Sequence, residues 1–203
     1  DAVPAKSKNA DEVYDAEHHY LGPGVTAKCV YSDNAGELIA AAQSMGAVPV
    51  NCTPHVPQTN GVAENSVRKV TEGTACALDQ SGFSYQWWNA AMKCFCFLRN
   101  VSDVMHFGHT PYYARFGKDF DGLRVPFGAE ISYMRFADNH KCDRIHPFST
   151  KTRKGLFIGY DVRPGGSWSK DYFIVDAEQL HCADSIWNVK VLRTPSITVP
   201  DYF

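Results

Sequence analysis

The first fifty residues switch between two hydrophobic periods, one typical of strands and one typical of helices. Residues 25–31 carry an apolar residue at every second position, as expected for a half-buried strand. Ser7 or Asn9 can cap the helix that follows them, and Gly22 can end it. The pattern predicts the end of a strand at residues 2–5, a helix at 10–21, strands at 25–31 and 47–52, and a helix at 37–45. This alternation indicates an α/β fold.

Two longer helices follow a loop. Residues 53–61 contain two prolines and an Asn-Gly pair and lack apolar periodicity, which predicts the loop. Residues 62–80 and 87–101 then carry apolar or small side chains at helical spacing. We therefore expect two amphipathic helices in the middle of the chain.

The pattern changes after about residue 105. Glycines recur there between short runs of β-forming residues, which is typical of a small β-rich module such as a barrel. The runs are residues 130–136, 155–160 and 172–175. The last stretch, 185–203, alternates weakly and is expected to be extended or frayed. The predicted organisation is an α/β domain over residues 1–105 and a β-rich module with a tail over 106–203.

The composition argues against a disordered chain and against a membrane-spanning one. The 203 residues are 44% hydrophobic and 21% charged, which favours a globular fold. No apolar run approaches the roughly 18 residues of a membrane span. The first residues lack the basic and apolar regions of a signal peptide, and we interpret the chain as part of a longer polypeptide that is not secreted.

The seven cysteines are an odd number. Without a secretion signal, this favours reduced thiols. Cys76, Cys94 and Cys96 fall in apolar helical patterns and are predicted to lie in the core. The aromatic residues Trp87, Trp88, Phe95 and Phe97 are interpreted in the same way.

Two carboxylates occupy positions where ligand-binding residues often occur. Asp33 follows the predicted strand 25–31, at the end where open α/β sheets bind ligands. Glu64 lies in the first turn of the predicted helix 62–80, directly after a loop. Together they could bind a divalent cation through oxygen ligands. The alternative is structural, because an Asp after a strand often closes a turn and a Glu in a first turn complements the helix dipole.

The segments around these carboxylates resemble integrases of the Copia retrotransposon type. Residues 31–37, YSDNAGE, are similar to the segment around the family's second catalytic Asp, with Ala35 in place of the usual Gly. Residues 53–64, TPHVPQTNGVAE, closely resemble the segment that ends in the catalytic Glu. Residues 110–118 and 153–160 are similar to blocks downstream of the core, in the same order.

This resemblance implies a partial ribonuclease-H-like mixed sheet, followed by the β-rich module. It also implies a catalytic set of two Asp and one Glu that binds Mg²⁺ or Mn²⁺. Asp33 and Glu64 match the second and third carboxylates as catalytic and metal-binding residues. The first belongs on a strand before Asp1, so we expect this stretch to be inactive alone. The interval between Asp33 and Glu64 holds 30 residues, fewer than is usual in the family. This predicts that the helix at 37–45 and the strand after it are shorter than in the family.

The resemblance further implies the partners and the location. Integrases of this family join the ends of element DNA to target DNA as homo-oligomers, in the nucleus or in cytoplasmic virus-like particles. The residues expected to contact DNA lie around Glu64 and in the stretch 121–160, which holds 7 basic and 4 acidic side chains. They are His55, Gln58, Asn60, Asn65, Arg68, Lys69, Lys151, Arg153 and Lys154. For the basic stretch the alternative is an ordinary solvated surface.

Two weaker signals leave alternatives open. His140, Cys142 and His146 could ligate zinc, but their spacing matches no zinc module. Four aromatic residues could stack on bases or could simply pack in the core; they are Tyr112, Tyr113, Trp168 and Tyr172.

Two classes of function therefore compete. The first is an enzyme domain for DNA strand transfer, of the type that uses two Asp and one Glu. The second is a non-catalytic nucleic-acid-binding or interaction module, a decayed or repurposed transposon remnant. A thiol hydrolase has little support, because no cysteine lies in a recognisable nucleophile setting.

Overall fold

A computed structural model describes residues 2–5, 7–51, 61–134 and 152–200. The helices are α1 (Ala10–Leu21), α2 (Gly36–Ser44), α3 (Gly61–Ser81), α4 (Trp88–Ser102), α5 (Pro111–Phe116) and α6 (Ala177–Cys182). The strands are β1 (Cys29–Ser32), β2 (Val48–Asn51), β3 (Glu130–Met134), β4 (Thr152–Val162), β5 (Trp168–Asp176), β6 (Val191–Thr194) and β7 (Ile197–Thr198). Short 3-10 helices cover Tyr85–Trp87 and Ile186–Asn188. The expected α/β fold class is confirmed, because helices combine with a parallel sheet and an antiparallel five-stranded sheet. This architecture is consistent with a partial ribonuclease-H-like fold followed by a β module.

The chain forms two compact units. The first comprises residues 1–73 and 162–169, and the second comprises residues 74–161 and 170–203. The predicted domain boundary between residues 105 and 106 stays a prediction. In the part of the chain that the structure describes, no helix is long and apolar enough to cross a membrane.

Helix α1 begins where its capping residues predict. The Asn9 side chain accepts a hydrogen bond of 2.8 Å from the Glu12 N–H, and the Glu12 carboxylate in turn accepts one of 2.9 Å from the Ser7 N–H. The first bond satisfies a donor that the first helical turn leaves without a partner, and the second ties the segment before the helix to it. Asn9 is therefore the cap, and the predicted helix 10–21 is confirmed.

A close backbone contact follows the end of α1. Gly22 has a φ of +81°, and a Cβ on it would lie 2.6 Å from the Cα of Gly165. The Gly165 N–H donates a 2.8 Å hydrogen bond to the His19 carbonyl. Glycine is needed at position 22 because any side chain there would meet this backbone, and the φ of +90° at Gly165 favours glycine there as well.

The first unit contains a two-stranded parallel sheet. Strand β1 pairs with β2 in the register Cys29↔Val48 and Tyr31↔Val50, and α2 packs against both strands. The predicted strand at residues 25–31 is therefore shorter than expected. The strand end predicted at residues 2–5 is wrong: these residues form no strand, because a strand requires a hydrogen-bonded neighbour and the described part of this sheet contains only β1 and β2.

The two long helices are confirmed, but two of the predicted core residues are exposed and two others, Trp87 and Phe95, are only half-buried. Thr74 is the buried residue of α3, and Cys76 is exposed. Each helical residue is rotated by about 100° from the previous one, so Cys76, two residues after Thr74, lies on the opposite side of the helix. Trp88 is 47% exposed, because the buried stripe of α4 begins one turn later, at Ala91. Cys94 and Cys96 are buried, as predicted.

The second unit contains an antiparallel five-stranded sheet in the order β6-β5-β4-β3-β7. The edge strands β6 and β7 are separated in sequence by only Pro195 and Ser196. Four strand spacings in a flat sheet measure about 19 Å, whereas this connection reaches about 11 Å at most. The sheet therefore curls towards a barrel. The predicted extended segment at 185–203 contributes β6 and β7 to it and is not frayed over those residues.

An aromatic core joins helices α4 and α5 to this sheet. The ring of Phe97 lies 4.5 Å from that of Tyr160 and 6.2 Å from that of Tyr112. Tyr112 and Tyr172 are buried, so the suggestion that they stack on bases is wrong. Helices α5 and α6 lie in the stretch that was predicted to be β-rich, because short helices give little periodicity to detect.

Candidate functional site

Asp33 lies directly after β1, in the turn that leads into α2. Its Oδ1 accepts a hydrogen bond of 3.2 Å from the Ala35 N–H, and its side chain is exposed. The carboxylate therefore has the turn-closing role of the structural alternative. An exposed side chain at the end of a strand can still bind a ligand through its second oxygen.

Glu64 lies in the first turn of α3 and is exposed. Its carboxylate is next to the positive end of the helix dipole, which favours a negative charge there. One residue further along, Asn65 accepts a 3.0 Å hydrogen bond from the Arg68 guanidinium. Asn65, Arg68 and Lys69 are all exposed, so this first part of α3 presents a polar and basic surface.

Asp33 and Glu64 belong to the same compact unit, but their approach to one cation stays a prediction. Among the described residues there is no group of three His, Cys, Asp or Glu side chains that could hold a metal ion. His55, Gln58 and Asn60, which were expected to contact DNA beside them, lie outside the described residues. The zinc candidates His140, Cys142 and His146 also lie outside them.

The basic residues near 151–154 do not share one face. Neighbouring residues of a strand point to opposite sides of a sheet, and Lys154 pairs with Glu130 at 2.6 Å. Arg153 faces the other side, where its guanidinium lies 3.9 Å from the Asp176 carboxylate. Lys151 lies outside the described residues. Proximity in sequence therefore overstated the size of the basic cluster.

Asp176 is the centre of a polar cluster at one end of the curled sheet. It accepts hydrogen bonds of 2.7 Å from the Tyr133 hydroxyl and 3.1 Å from the Gln179 N–H. Burial alone would raise the pKa of this carboxyl, but these two hydrogen bonds and the nearby Arg153 guanidinium hold its pKa below the usual value. The spacing of Asp176 and Gln179 is that of a helix cap and could have been found in the sequence.

A cavity of about 400 Å³ opens beside Asp176. It is lined by residues of β3, β4, the β5–α6 junction and β6, and by the residue just before β6: Tyr133, Met134, Arg153, Asp176, Glu178, Gln179, Lys190, Leu192, Arg193 and Thr194. Arg193 pairs with Asp161 at 2.9 Å and with Asp171 at 2.7 Å. Sequence analysis missed this cavity, because its basic residues are far apart along the chain.

The thiols differ in their surroundings. Burial raises the pKa of the Cys94 thiol to about 12 and also raises the pKa of the Cys96 thiol. These two side chains therefore stay protonated and act as small core residues. Cys29, Cys76 and Cys182 are exposed and reduced.

The site is thus an α/β unit with an exposed carboxylate after a parallel strand and another at the start of a long helix, in a chain that also contains a curled β sheet. No protein-family model matches the chain. The chain is 28% identical over 138 residues to the "Retrovirus-related Pol polyprotein from transposon RE1" of Arabidopsis thaliana, a match that covers 65% of this chain. It is 24% identical over 139 residues, 66% of the chain, to the corresponding polyprotein from transposon RE2 of the same plant.

The chain spans 9% of the length of each of these relatives. The similarity supports a retrotransposon-related role for the chain.

Proposed function

We propose that this chain is part of a Copia-type integrase core and that the protein containing it joins element DNA to target DNA. The observation that carries the proposal is the position of Asp33, exposed at the carboxyl end of a parallel strand. The match of residues 53–64 to the family's Glu-containing segment supports it. So does the similarity to transposon Pol polyproteins.

Mg²⁺ or Mn²⁺ is the cofactor that this proposal implies. Carboxylate oxygens are the ligands that these ions prefer, and Asp33 and Glu64 are both exposed enough to offer them. The two carboxylates are the right type of ligand for the ion, but two are too few for a complete site. No group of three candidate ligands occurs within residues 2–5, 7–51, 61–134 and 152–200. When bound, the ion would supply Lewis-acid activation of a phosphodiester.

The side chains of this unit would bind and orient the DNA. In the proposed complex, Asp33 is held by its hydrogen bond to Ala35, so its carboxylate is positioned before any ligand arrives. Asn65 restrains Arg68 one turn beyond Glu64. Arg68 and Lys69 would then contact backbone phosphates next to the reacting bond. DNA and further copies of the protein are the proposed partners, in the nucleus or in virus-like particles.

One observation favours the second candidate, a non-catalytic module that binds nucleic acid. The described residues supply two candidate carboxylates and no third ligand near them, so a chain that had lost catalysis could have the same described structure. In that case the basic residues of α3 would still bind DNA. Cleavage and joining would not respond to changes at Asp33 or Glu64.

The test is a strand-transfer assay on the protein that contains this chain. We expect Asp33→Asn and Glu64→Gln each to lower the rate by about a hundredfold or more, because each removes an anionic ligand. Glu72→Gln is the matched control, since Glu72 is also exposed on α3. Equal rates for Glu64→Gln and Glu72→Gln would contradict the catalytic proposal and favour the binding module.

A further inference from the structure

We propose that the cavity beside Asp176 is a second nucleic-acid site, which binds a backbone phosphate of a single-stranded segment through Arg153 and Lys190. This inference takes its class of ligand from the proposed function, but it concerns different residues in the other compact unit. It can therefore fail while the proposal for Asp33 and Glu64 stands, and the reverse also holds.

Arg153 is the first of the two phosphate-binding side chains. It lies at the start of β4, opposite Tyr133 of β3, and its side chain is 42% exposed. At 3.9 Å, its contact with Asp176 is an ion pair rather than a short hydrogen bond. Because the guanidinium carries five donors, Arg153 can bind a phosphate without giving up its pair with Asp176.

Lys190 is the second phosphate-binding side chain. Its backbone is held in place, because its N–H donates a 3.3 Å hydrogen bond to the Gln179 side chain, whose amide also donates to the Asn188 carbonyl at 3.4 Å. Gln179 is itself fixed by Asp176 at the start of α6. Asp176 therefore orders both sides of the cavity, the guanidinium of Arg153 and the segment that carries Lys190.

The remaining charges of the cavity define what it can accept. Arg193 is held by Asp161 and Asp171, so most of its charge is already balanced. Asp176 is recessed, with its side chain 12% exposed. The exposed carboxylate in the lining is Glu178, which opposes an anion. A phosphate is thus attracted by Lys190 and by Arg153, whose charge Asp176 partly balances, and it is repelled by Glu178 at the rim.

An exposed aromatic residue makes single-stranded nucleic acid the ligand that we favour. Trp187 is 88% exposed and lies three residues before Lys190. Proteins bind single-stranded nucleic acid by stacking exposed aromatic side chains on unpaired bases and by placing cationic side chains on the phosphates. Trp187 and Lys190 supply one side chain of each kind within four residues of the chain. A cavity of about 400 Å³ is also within the range for a nucleotide-sized ligand.

The experiment measures the binding of a fluorescein-labelled single-stranded oligonucleotide by anisotropy, at several salt concentrations. We expect Lys190→Gln to weaken binding about three- to tenfold and to reduce the slope of log K against log salt by about 0.7. Glu178→Gln should tighten binding about two- to threefold. Trp187→Ala should weaken binding by about fivefold or more. The matched control is Lys118→Gln, an exposed lysine outside the cavity.

Competition separates the sources of the phosphate. Displacement of the oligonucleotide only by other single-stranded nucleic acid supports a polynucleotide site. Displacement by AMP or inorganic phosphate at similar concentrations would support the phosphate site but contradict its use for polynucleotides. Equal competition by polyglutamate would overturn the assignment to phosphate.

Stability is checked by thermal unfolding, because Arg153→Gln also removes the partner of Asp176. If that variant does not fold, Lys190→Gln and Glu178→Gln decide the question, since both residues are exposed. Unchanged binding in these two variants, or an equal loss in Lys118→Gln, would overturn the inference.

Discussion

The hydroxyl of Tyr160 accepts a 2.9 Å hydrogen bond from the Val125 N–H, 35 residues earlier in the chain. The same hydroxyl donates a 2.8 Å hydrogen bond to the Leu123 carbonyl. Burial raises the pKa of Tyr160 above its usual value, so the phenol stays protonated and can make both bonds. One side chain of β4 thereby holds the segment that leads into β3.

We expect Tyr160→Phe to destabilise the protein by about 1–3 kcal/mol, because a buried N–H and a carbonyl would each lose a partner. Urea unfolding measures the change. Tyr85→Phe is the control, since Tyr85 is 79% exposed and should change stability by less than about 0.5 kcal/mol. Equal effects of the two substitutions would show that the bonds of Tyr160 contribute nothing.

Asp176 should make stability depend on pH in the acidic range. Its pKa is lowered in the folded protein, so the stabilisation that it contributes is fully present above the unfolded value, about pH 4. This contribution is lost as the pH falls through the lower folded value. Unfolding free energies measured from neutral to acidic pH should therefore fall more steeply in the wild type than in Asp176→Asn. The control is Asp79→Asn, an exposed residue of α3. Parallel curves for wild type and Asp176→Asn would contradict this prediction.

Gly155 lies where β4 passes close to its neighbours. A Cβ there would lie 2.9 Å from the Val175 carbonyl oxygen and 3.0 Å from the Tyr133 ring. Gly155→Ala should destabilise the protein by about 1–3 kcal/mol through this overpacking. At Gly36 nothing lies within 4 Å of such a Cβ, so Gly36→Ala should be close to neutral. A neutral Gly155→Ala in thermal or urea unfolding would mean that the strands can move apart at little cost.

Salt should weaken DNA binding by the first part of α3. Phosphate contacts release counterions, so log K should fall with log salt by about 0.9 for each duplex phosphate contacted. Arg68→Gln and Lys69→Gln should each reduce that slope by about one contact. Lys93→Gln, an exposed lysine of α4, should leave it unchanged. Binding to duplex DNA that does not vary between low and moderate salt would exclude a phosphate-binding surface on α3.

The 203-residue chain alone should not nick or join DNA with Mg²⁺ or Mn²⁺. Two-metal catalysis requires ligands that fix two ions about 3.5–4 Å apart, and the described residues contain no group of three candidate ligands. A strand-transfer assay on the soluble protein, with Glu64→Gln as the control, measures this. Turnover that disappears in Glu64→Gln would show that a further ligand reaches the site.

Local patterns in the sequence were enough for elements whose determinants are close together in the chain. Helix α1 was predicted with its bounds, because Asn9 and Gly22 act on the turns next to them. Strands β4 and β5 were predicted, but the predicted strands were shorter than the observed ones. Hydrogen-bonded neighbours extend a strand beyond its apolar run. Asp33 and Glu64 were chosen as candidates through the segments around them. Their catalytic role stays a prediction, and no contact between them could be derived from the resemblance.

Contacts between distant residues decided the rest. Cys76 and Trp88 are both apolar, and their exposure depends on which side of the helix is covered. The residues 151–154 look like one basic cluster, yet strand alternation directs Arg153 towards Asp176 and Lys154 towards Glu130. The cavity joins Arg153 to Lys190 across 37 positions of sequence. The sequence pattern gives the hydrophobic period of each helix or strand but not the element that packs against each of its faces. The cavity could therefore be seen only in the tertiary structure.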